Sequence, residues 1–289
     1  MNKKIIYIIG AGRSGTTLLD IILGNNPKLF SAGELNRFPI RNGVCPNIGK
    51  ETAAYKYWEA FKTDFLSRHK DYRLDEINKN LIDKYEYHSG ILKIIFGGKS
   101  SKSKERYYDY LRSFFDLLSE NVDKEIIVDS SKYPCRGYHI SQLYKSDISF
   151  IYIKRNPVDV SHSFAKKDLE QPPKSWFMTN LYLFCVNHLC NYILNKVKNN
   201  SKVVRIKYDS LVSNPVETLS SIQKELNIDL SHSIELIKND DYLFPGLLFD
   251  GNRLRMKEKI KLEKKDHSKP RKLSFKDKIT MGFNSSWWR

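Results

Sequence analysis

Cysteine is scarce in this chain of 289 residues: Cys45, Cys135, Cys185 and Cys190 are all there are, and no two stand in Cys-x-x-Cys spacing. A chain of this length buries roughly 75% of its unfolded surface and needs no disulfide staples, so the four are read as reduced thiols. The seven histidines show no metal-ligand spacing, which argues against a zinc site and leaves His162 an ordinary helix residue. No uninterrupted apolar run approaches the roughly 18 residues of a membrane span. Met1-Asn2-Lys3-Lys4 and the isoleucines behind it imitate a signal peptide, but that run ends in a glycine turn whose chemistry requires it folded. The expectation is a soluble cytoplasmic protein with no membrane partner. Internal repeats and long low-complexity linkers are missing as well. Acidic residues are comparatively few, 33 against 49 Lys and Arg, and the net charge of +16 calls for an anionic partner.

What is present begins at the N-terminus. Ile5-Ile6-Tyr7-Ile8-Ile9 is short, apolar and rich in β-branched residues, as a strand buried on both faces should be. Gly10-Ala11-Gly12-Arg13-Ser14-Gly15 follows, and then Leu18, Leu19, Ile22 and Leu23 recur at helical spacing. A glycine turn between a strand and a helix N-terminus collects unpaired N–H groups and the positive end of the helix dipole, and glycines let the backbone approach an anion. Arg13, Thr16 and Thr17 add side-chain donors.

Several phosphate-binding classes compete for this turn. Gly10-x-Gly12-x-x-Gly15 satisfies the dinucleotide fingerprint, with Glu34 at about the distance of a ribose-binding acid. Gly10-x-x-x-x-Gly15 also begins the P-loop pattern of a nucleotide kinase or ATPase, but the lysine that should follow is Thr16. Without that lysine, and with Arg13 inside the loop, the turn suits a 5′-phosphate group without triphosphate and magnesium chemistry. A second strand, Phe150-Ile151-Tyr152-Ile153-Lys154, ends in Arg155 and is followed by Asn156 and Pro157. These are a good N-cap and a good first helical residue. Arg155 at the strand's carboxyl end can fork onto a phosphate, and Ser163 lies eight residues beyond it.

With both segments in this order, the chain resembles the sulfotransferases that use 3′-phosphoadenosine-5′-phosphosulfate. The resemblance implies that Gly12-Arg13-Ser14-Gly15-Thr16-Thr17 is the 5′-phosphosulfate loop, and that Arg155 with Ser163 holds the 3′-phosphate. It implies further that Glu34, in a segment similar to the catalytic-glutamate region of tyrosylprotein sulfotransferases, is the base. Lys132 follows the strand Glu125–Asp129 at the sheet edge where α/β proteins bind ligands, and there it can neutralise the leaving group; its Ser-Lys-x-Pro stretch resembles the family's sulfuryl-contacting lysine, with Ser131 beside it. Asp129 is read as a structural partner. Tyr208-Asp209-Ser210-Leu211 resembles the family's Tyr-Glu-Asp-Leu, which would turn Tyr208 toward the cofactor, although a core tyrosine has the same signature. Gly251-Asn252-Arg253 resembles an element closing over the nucleotide through Asn252 and either Arg253 or Arg255. The implied reaction is direct, in-line transfer of a sulfuryl group to a small-molecule hydroxyl or amine, with adenosine 3′,5′-bisphosphate as product, catalytic Glu34, Lys132 and Arg13, and no metal.

Strands near 4–10, 125–129, 148–153 and 202–206, with helical patterns between them, predict an α/β fold on a central, mainly parallel sheet. Tyr107, Leu111, Phe114 and Leu118 mark the core face of one helix. Asn214-Pro215-Val216-Glu217 predicts a capping box and a helix ending near Asn227. One sulfotransferase domain over 1–289 is expected, with a helical acceptor-side insertion at about 41–103 and a basic segment at 251–289. That segment carries 13 Lys or Arg against four Asp or Glu. Its lysines lack the interleaved aromatics that stack on bases, so a noncatalytic nucleic-acid-binding module is the weaker alternative and no nucleic-acid partner is expected. Trp287-Trp288 can pack on the domain or on a partner, and the sequence leaves oligomeric state open.

Overall fold

Along strand β1, Lys4–Ile9, the side chains alternate between two cores. Ile5, Tyr7 and Ile9 join one apolar cluster and Ile6 and Ile8 the other, which is why the run reads as continuously hydrophobic. The computed structural model describes residues 3–96, 101–166, 173–263 and 273–288. Among them the sheet holds β1, β2 (Leu29–Ser31), β3 (Ile126–Lys132), β4 (Ile148–Lys154) and β5 (Val203–Lys207). Their order is β2-β3-β1-β4-β5, and every pair is parallel. The chain is an α/β protein, as its pattern of strands and helices predicts.

The first cluster carries the aromatic weight. Phe38, Trp58, Phe61, Phe65, Phe114 and Phe249 interlock in edge-on and tilted contacts with ring centroids 5.1–6.3 Å apart. They join the helices Ala53–Arg68 and Lys102–Asn121 to the sheet. The second cluster packs the helices Thr16–Gly24 and Pro215–Leu226 on the opposite face.

Three details differ from expectation. A fifth strand, β2, is only three residues long, too short to show a period, and is held by pairing Leu29, Phe30 and Ser31 with Ile126, Ile127 and Val128. β3 runs on through Ser130 and Ser131, so Lys132 ends the strand rather than following it; the two serines are buried because their hydroxyls find partners inside. Asn214 makes no side-chain cap, although Pro215 does open the helix and Asn227 ends it in the left-handed region at φ 55°.

Residues 53–68 form one long helix, and 74–95 are largely helical in short pieces. Parts of two expected segments, 97–100 in the first and 264–272 with 289 in the second, lie outside the described residues. Trp287 is buried against the domain, its carbonyl accepting from Lys154 Nζ at 3.1 Å, and the ring of Trp288 lies 5.0 Å from Lys207 Nζ. The pair therefore packs on its own chain.

Candidate active site

The carboxyl ends of β1, β3 and β4 open into a cavity of about 440 Å³, the place where open parallel sheets bind ligands. Its floor is the turn after β1. Arg13 and Gly15 both take left-handed backbone, at φ 66° and 95°. A Cβ at Gly15 would stand 2.3 Å from the Tyr208 ring, so conformation and space both require glycine here. The helix Thr16–Gly24 then starts without a side-chain cap, and its first-turn amides have no intrahelical acceptor. Such an uncapped N-terminus suits an oxyanion.

Arg155 reaches this floor from the end of β4. Its Nη1 donates to the Arg13 carbonyl at 3.0 Å, and its guanidinium lies 4.4 Å from the centre of the Tyr208 ring. Nε is buried with no hydrogen-bond partner. A buried orphaned guanidinium N–H is costly unless an anion completes it. Asn156 caps the next helix through Val158 N at 2.9 Å, with Pro157 in its first turn, and brings Ser163 to the cavity wall. His162, one residue earlier, faces Asp277 at 3.0 Å instead.

Glu34 and Lys132 meet across the cavity. Lys132 Nζ donates to Glu34 Oε1, and Arg37 Nε stands 3.7 Å from Oε2. Lys132 is held at φ 63°, an arrangement costing about 1–3 kcal/mol that neighbouring structure must enforce. Two residues earlier, β3 is anchored to Asp20 through Ser130. This wholly buried carboxylate accepts from Ser31 Oγ, from Ser130 Oγ at 2.5 Å and from Gly33 N at 3.2 Å, tying the first helix to the ends of β2 and β3 beside Glu34. Burial pushes its pKa up to about 7 against those hydrogen bonds. Asp129, read as structural, is so: it accepts from Ser131 N at 2.8 Å and Arg136 Nε at 3.1 Å. Arg136 also binds Glu86 at 2.5 Å, and burial raises the Glu86 pKa to about 7.

Gly251 and Asn252 close the third side. The Asn252 amide donates to Thr17 Oγ1 at 3.1 Å, and the Glu34 amide donates to the Asp250 carbonyl at 3.1 Å. Between the two arginines left open by sequence, Arg253 lines the cavity. Arg255 is buried and turns inward, donating to the Pro46 carbonyl.

The structure therefore brings Gly12, Arg13, Gly15, Thr16, Thr17, Glu34, Lys132, Arg155, Ser163, Tyr208, Asn252 and Arg253 around one cavity. Ser14 is the exception, buried with its amide on the Ala11 carbonyl and not on the cavity wall. Ser131 is likewise turned inward, bonded to Asp129 and to the Asn36 amide. The cavity also contains residues that sequence reasoning missed. Tyr182 Oη accepts from Gly12 N at 2.8 Å and fixes the start of the loop. Arg37, Arg41, His88, Tyr133 and Lys174 line the remaining wall. None belongs to a spaced motif; the single signal was Arg37, one helical turn beyond Glu34.

Among the described residues no group of His, Cys, Asp and Glu has the arrangement of a metal site, and no helix is long and apolar enough to cross a membrane. Residues 6–232 match the family model described as the sulfotransferase family. Among solved structures, the chain is similar to the sulfotransferase domain from the curacin biosynthetic pathway, at 16% identity and a TM-score of 0.52, over 99% of this chain and 98% of that one. It is also similar to the sulfotransferase domain from the Synechococcus PCC 7002 olefin synthase, at 18% identity and a TM-score of 0.48, over 88% and 80% of the two chains. The first likeness shows a shared fold. No curated protein matches the sequence.

Proposed function

The chain belongs to the sulfotransferase family, and from that premise we propose that it moves a sulfuryl group from 3′-phosphoadenosine-5′-phosphosulfate to a hydroxyl or amine of a small-molecule acceptor. The observation that carries the reading is the juxtaposition of the Glu34–Lys132 ion pair with the uncapped loop and the orphaned Arg155 Nε in one cavity. A carboxylate able to take a proton thus adjoins cations able to hold an anionic leaving group.

The bound donor supplies an activated sulfuryl group and leaves as adenosine 3′,5′-bisphosphate. The first-turn amides, Thr16 and Thr17 cradle its 5′ side, while Arg155, Ser163 and Arg253 anchor its 3′-phosphate, with Tyr208 supporting Arg155. Glu34 accepts the acceptor's proton as the acceptor bonds to sulfur. Lys132, released from Glu34 as that carboxylate is neutralised, turns with Arg13 to the charge returning to the phosphate oxygen. Positioning and preorganised electrostatics carry such catalysis. The helical region at about 41–103 is proposed as the acceptor side, since it contributes Arg41 and His88 to the wall.

The test is calorimetric titration with adenosine 3′,5′-bisphosphate and, separately, with ATP plus magnesium, on wild type and Arg155→Ala. Bisphosphate binding weakened in the variant supports the reading; magnesium-dependent ATP binding in its place would overturn it in favour of a P-loop kinase or ATPase, the class that Thr16 disfavours.

A further inference from the structure

The cavity holds more positive charge than the proposed donor explains. Seven cationic side chains line it, Arg13, Arg37, Arg41, Lys132, Lys174, Arg155 and Arg253, against two carboxylates, Glu34 and Asp250. Arg13, Lys132, Arg155 and Arg253 are assigned to the donor. Arg41 is paired with Asp250 at 3.3 Å. Arg37 and Lys174 remain.

Neither side chain donates a hydrogen bond to a described carboxylate, although against the cost of its burial Glu34 and Asp250 raise the Arg37 pKa. Arg37 Nε is buried without a hydrogen-bond partner, and its nearest carboxylate oxygen, Glu34 Oε2, is 3.7 Å away on a group already bonded to Lys132. Protonation of Glu34 during turnover would remove even that counter-charge. Lys174 has no ion pair with any described carboxylate. Its ammonium stands 4.3 Å from the centre of the Tyr182 ring and 4.7 Å from that of Phe164, and its amide donates to the Phe164 carbonyl at 3.1 Å. Tyr182 is itself held by Gly12, so this cation is placed by the loop's own scaffold. Partial desolvation and the nearby Arg13 lower the Lys174 pKa, the direction that an added anion would reverse.

Between the two cations the wall is continuous. Tyr133 lies beside His88 with ring centres 5.4 Å apart, and His88 beside Tyr182 at 6.2 Å. His88 presents a buried Nδ1 with no partner, and burial with Lys174 nearby lowers its pKa and keeps the ring neutral. An arc of two underused cations and one uncharged hydrogen-bonding ring complements an oxyanion.

Resting on the sulfotransferase reading above, we propose that the acceptor is an acid: beside the hydroxyl or amine that receives the sulfuryl group it carries a carboxylate or phosphate ester, which Arg37 and Lys174 hold. The charge selects for such acceptors and against neutral isosteres, which would leave Lys174 without a carboxylate partner and Arg37 with only its 3.7 Å contact to Glu34.

The test uses the protein saturated with adenosine 3′,5′-bisphosphate. Hydroxy-carboxylates paired with their amides, and phosphate monoesters paired with their parent alcohols, are titrated by ligand-detected NMR against wild type, Lys174→Met and Arg37→Leu. In wild type the acidic member of the best pair should bind at least about tenfold more tightly than its neutral partner, the effect of losing one charge-assisted contact. Each variant should lower that preference to threefold or less, as an order of magnitude, while its affinity for the bisphosphate stays within a similar factor. Acids binding no better than neutral partners, or a preference surviving in both variants, would overturn the proposal. So would a tenfold or larger loss of bisphosphate affinity in Lys174→Met, which would assign the lysine to the donor. Failure of wild type to bind the bisphosphate at all would instead refute the underlying sulfotransferase reading.

Discussion

Replacing Arg155 by alanine removes a guanidinium whose three roles are separable. Nη1 holds the Arg13 carbonyl at 3.0 Å, the planar face stacks 4.4 Å from the Tyr208 ring centre, and the buried Nε has no protein partner. If Nε and Nη2 fork onto the nucleotide's 3′-phosphate, the variant loses two charge-assisted hydrogen bonds. At about 1.5–3 kcal/mol for one such bond, and allowing that two in one fork do not add fully, the loss is about 3 kcal/mol, or roughly a hundredfold in Kd. Arg155→Lys keeps the charge but neither the fork nor the stack, so its loss should be intermediate, on the order of tenfold. Calorimetry with adenosine 3′,5′-bisphosphate measures both. Thermal unfolding checks that loss of the Arg13 contact has not collapsed the loop. A Kd changed less than about threefold in a folded Arg155→Ala protein would refute the phosphate role. Equal losses with adenosine 5′-phosphate would refute its assignment to the 3′ position.

Glu34→Gln should lower kcat by roughly 10²–10⁴ with little change in bisphosphate affinity, as removal of a general base predicts; unchanged turnover in a sulfation assay would strike Glu34 out as the base. Gly15→Ala forces a left-handed residue and a Cβ 2.3 Å from the Tyr208 ring, so bisphosphate binding should fall sharply and stability by about 1–3 kcal/mol, read by calorimetry and urea unfolding. Stability should also depend on pH through Asp20. Its pKa rises from 3.8 to about 7 on folding, so between these values the folded chain keeps a proton that the unfolded chain has released, and stability is lost as pH rises across that window. Asp20→Asn should remove part of this slope in urea midpoints measured from pH 4 to 7.5, and Glu86, raised from 4.5 to about 7, supplies a second part. An identical slope in wild type and Asp20→Asn would refute the claim.

The amino-acid sequence by itself determined the elements whose signals are local. A buried strand announces itself by five consecutive apolar residues, and the turn after it by glycines at positions where φ is positive or space is missing, as Gly15 illustrates. Asn156-Pro157 likewise specifies its helix start through bonds within a few residues. β2 escaped because three residues carry no period; its register comes from β3, almost 100 positions later. The capping box at Asn214 was legible but did not form.

The cavity itself is a product of tertiary structure. Glu34 finds Lys132 only because β2 and β3 pair, and their alignment depends on Asp20, a buried carboxylate in a helix that the sequence marks merely as amphipathic. Arg37, His88, Lys174 and Tyr182 come from separate elements and converge on one wall. No spacing rule links them, because their chemistry depends on distance in space. Charge illustrates the same division. The excess of +16 is a property of composition, whereas burial and pairing decide which cations keep a charge to offer: Arg41 is neutralised by Asp250 and Arg136 by Asp129 and Glu86, while Arg37 and Lys174 face the cavity.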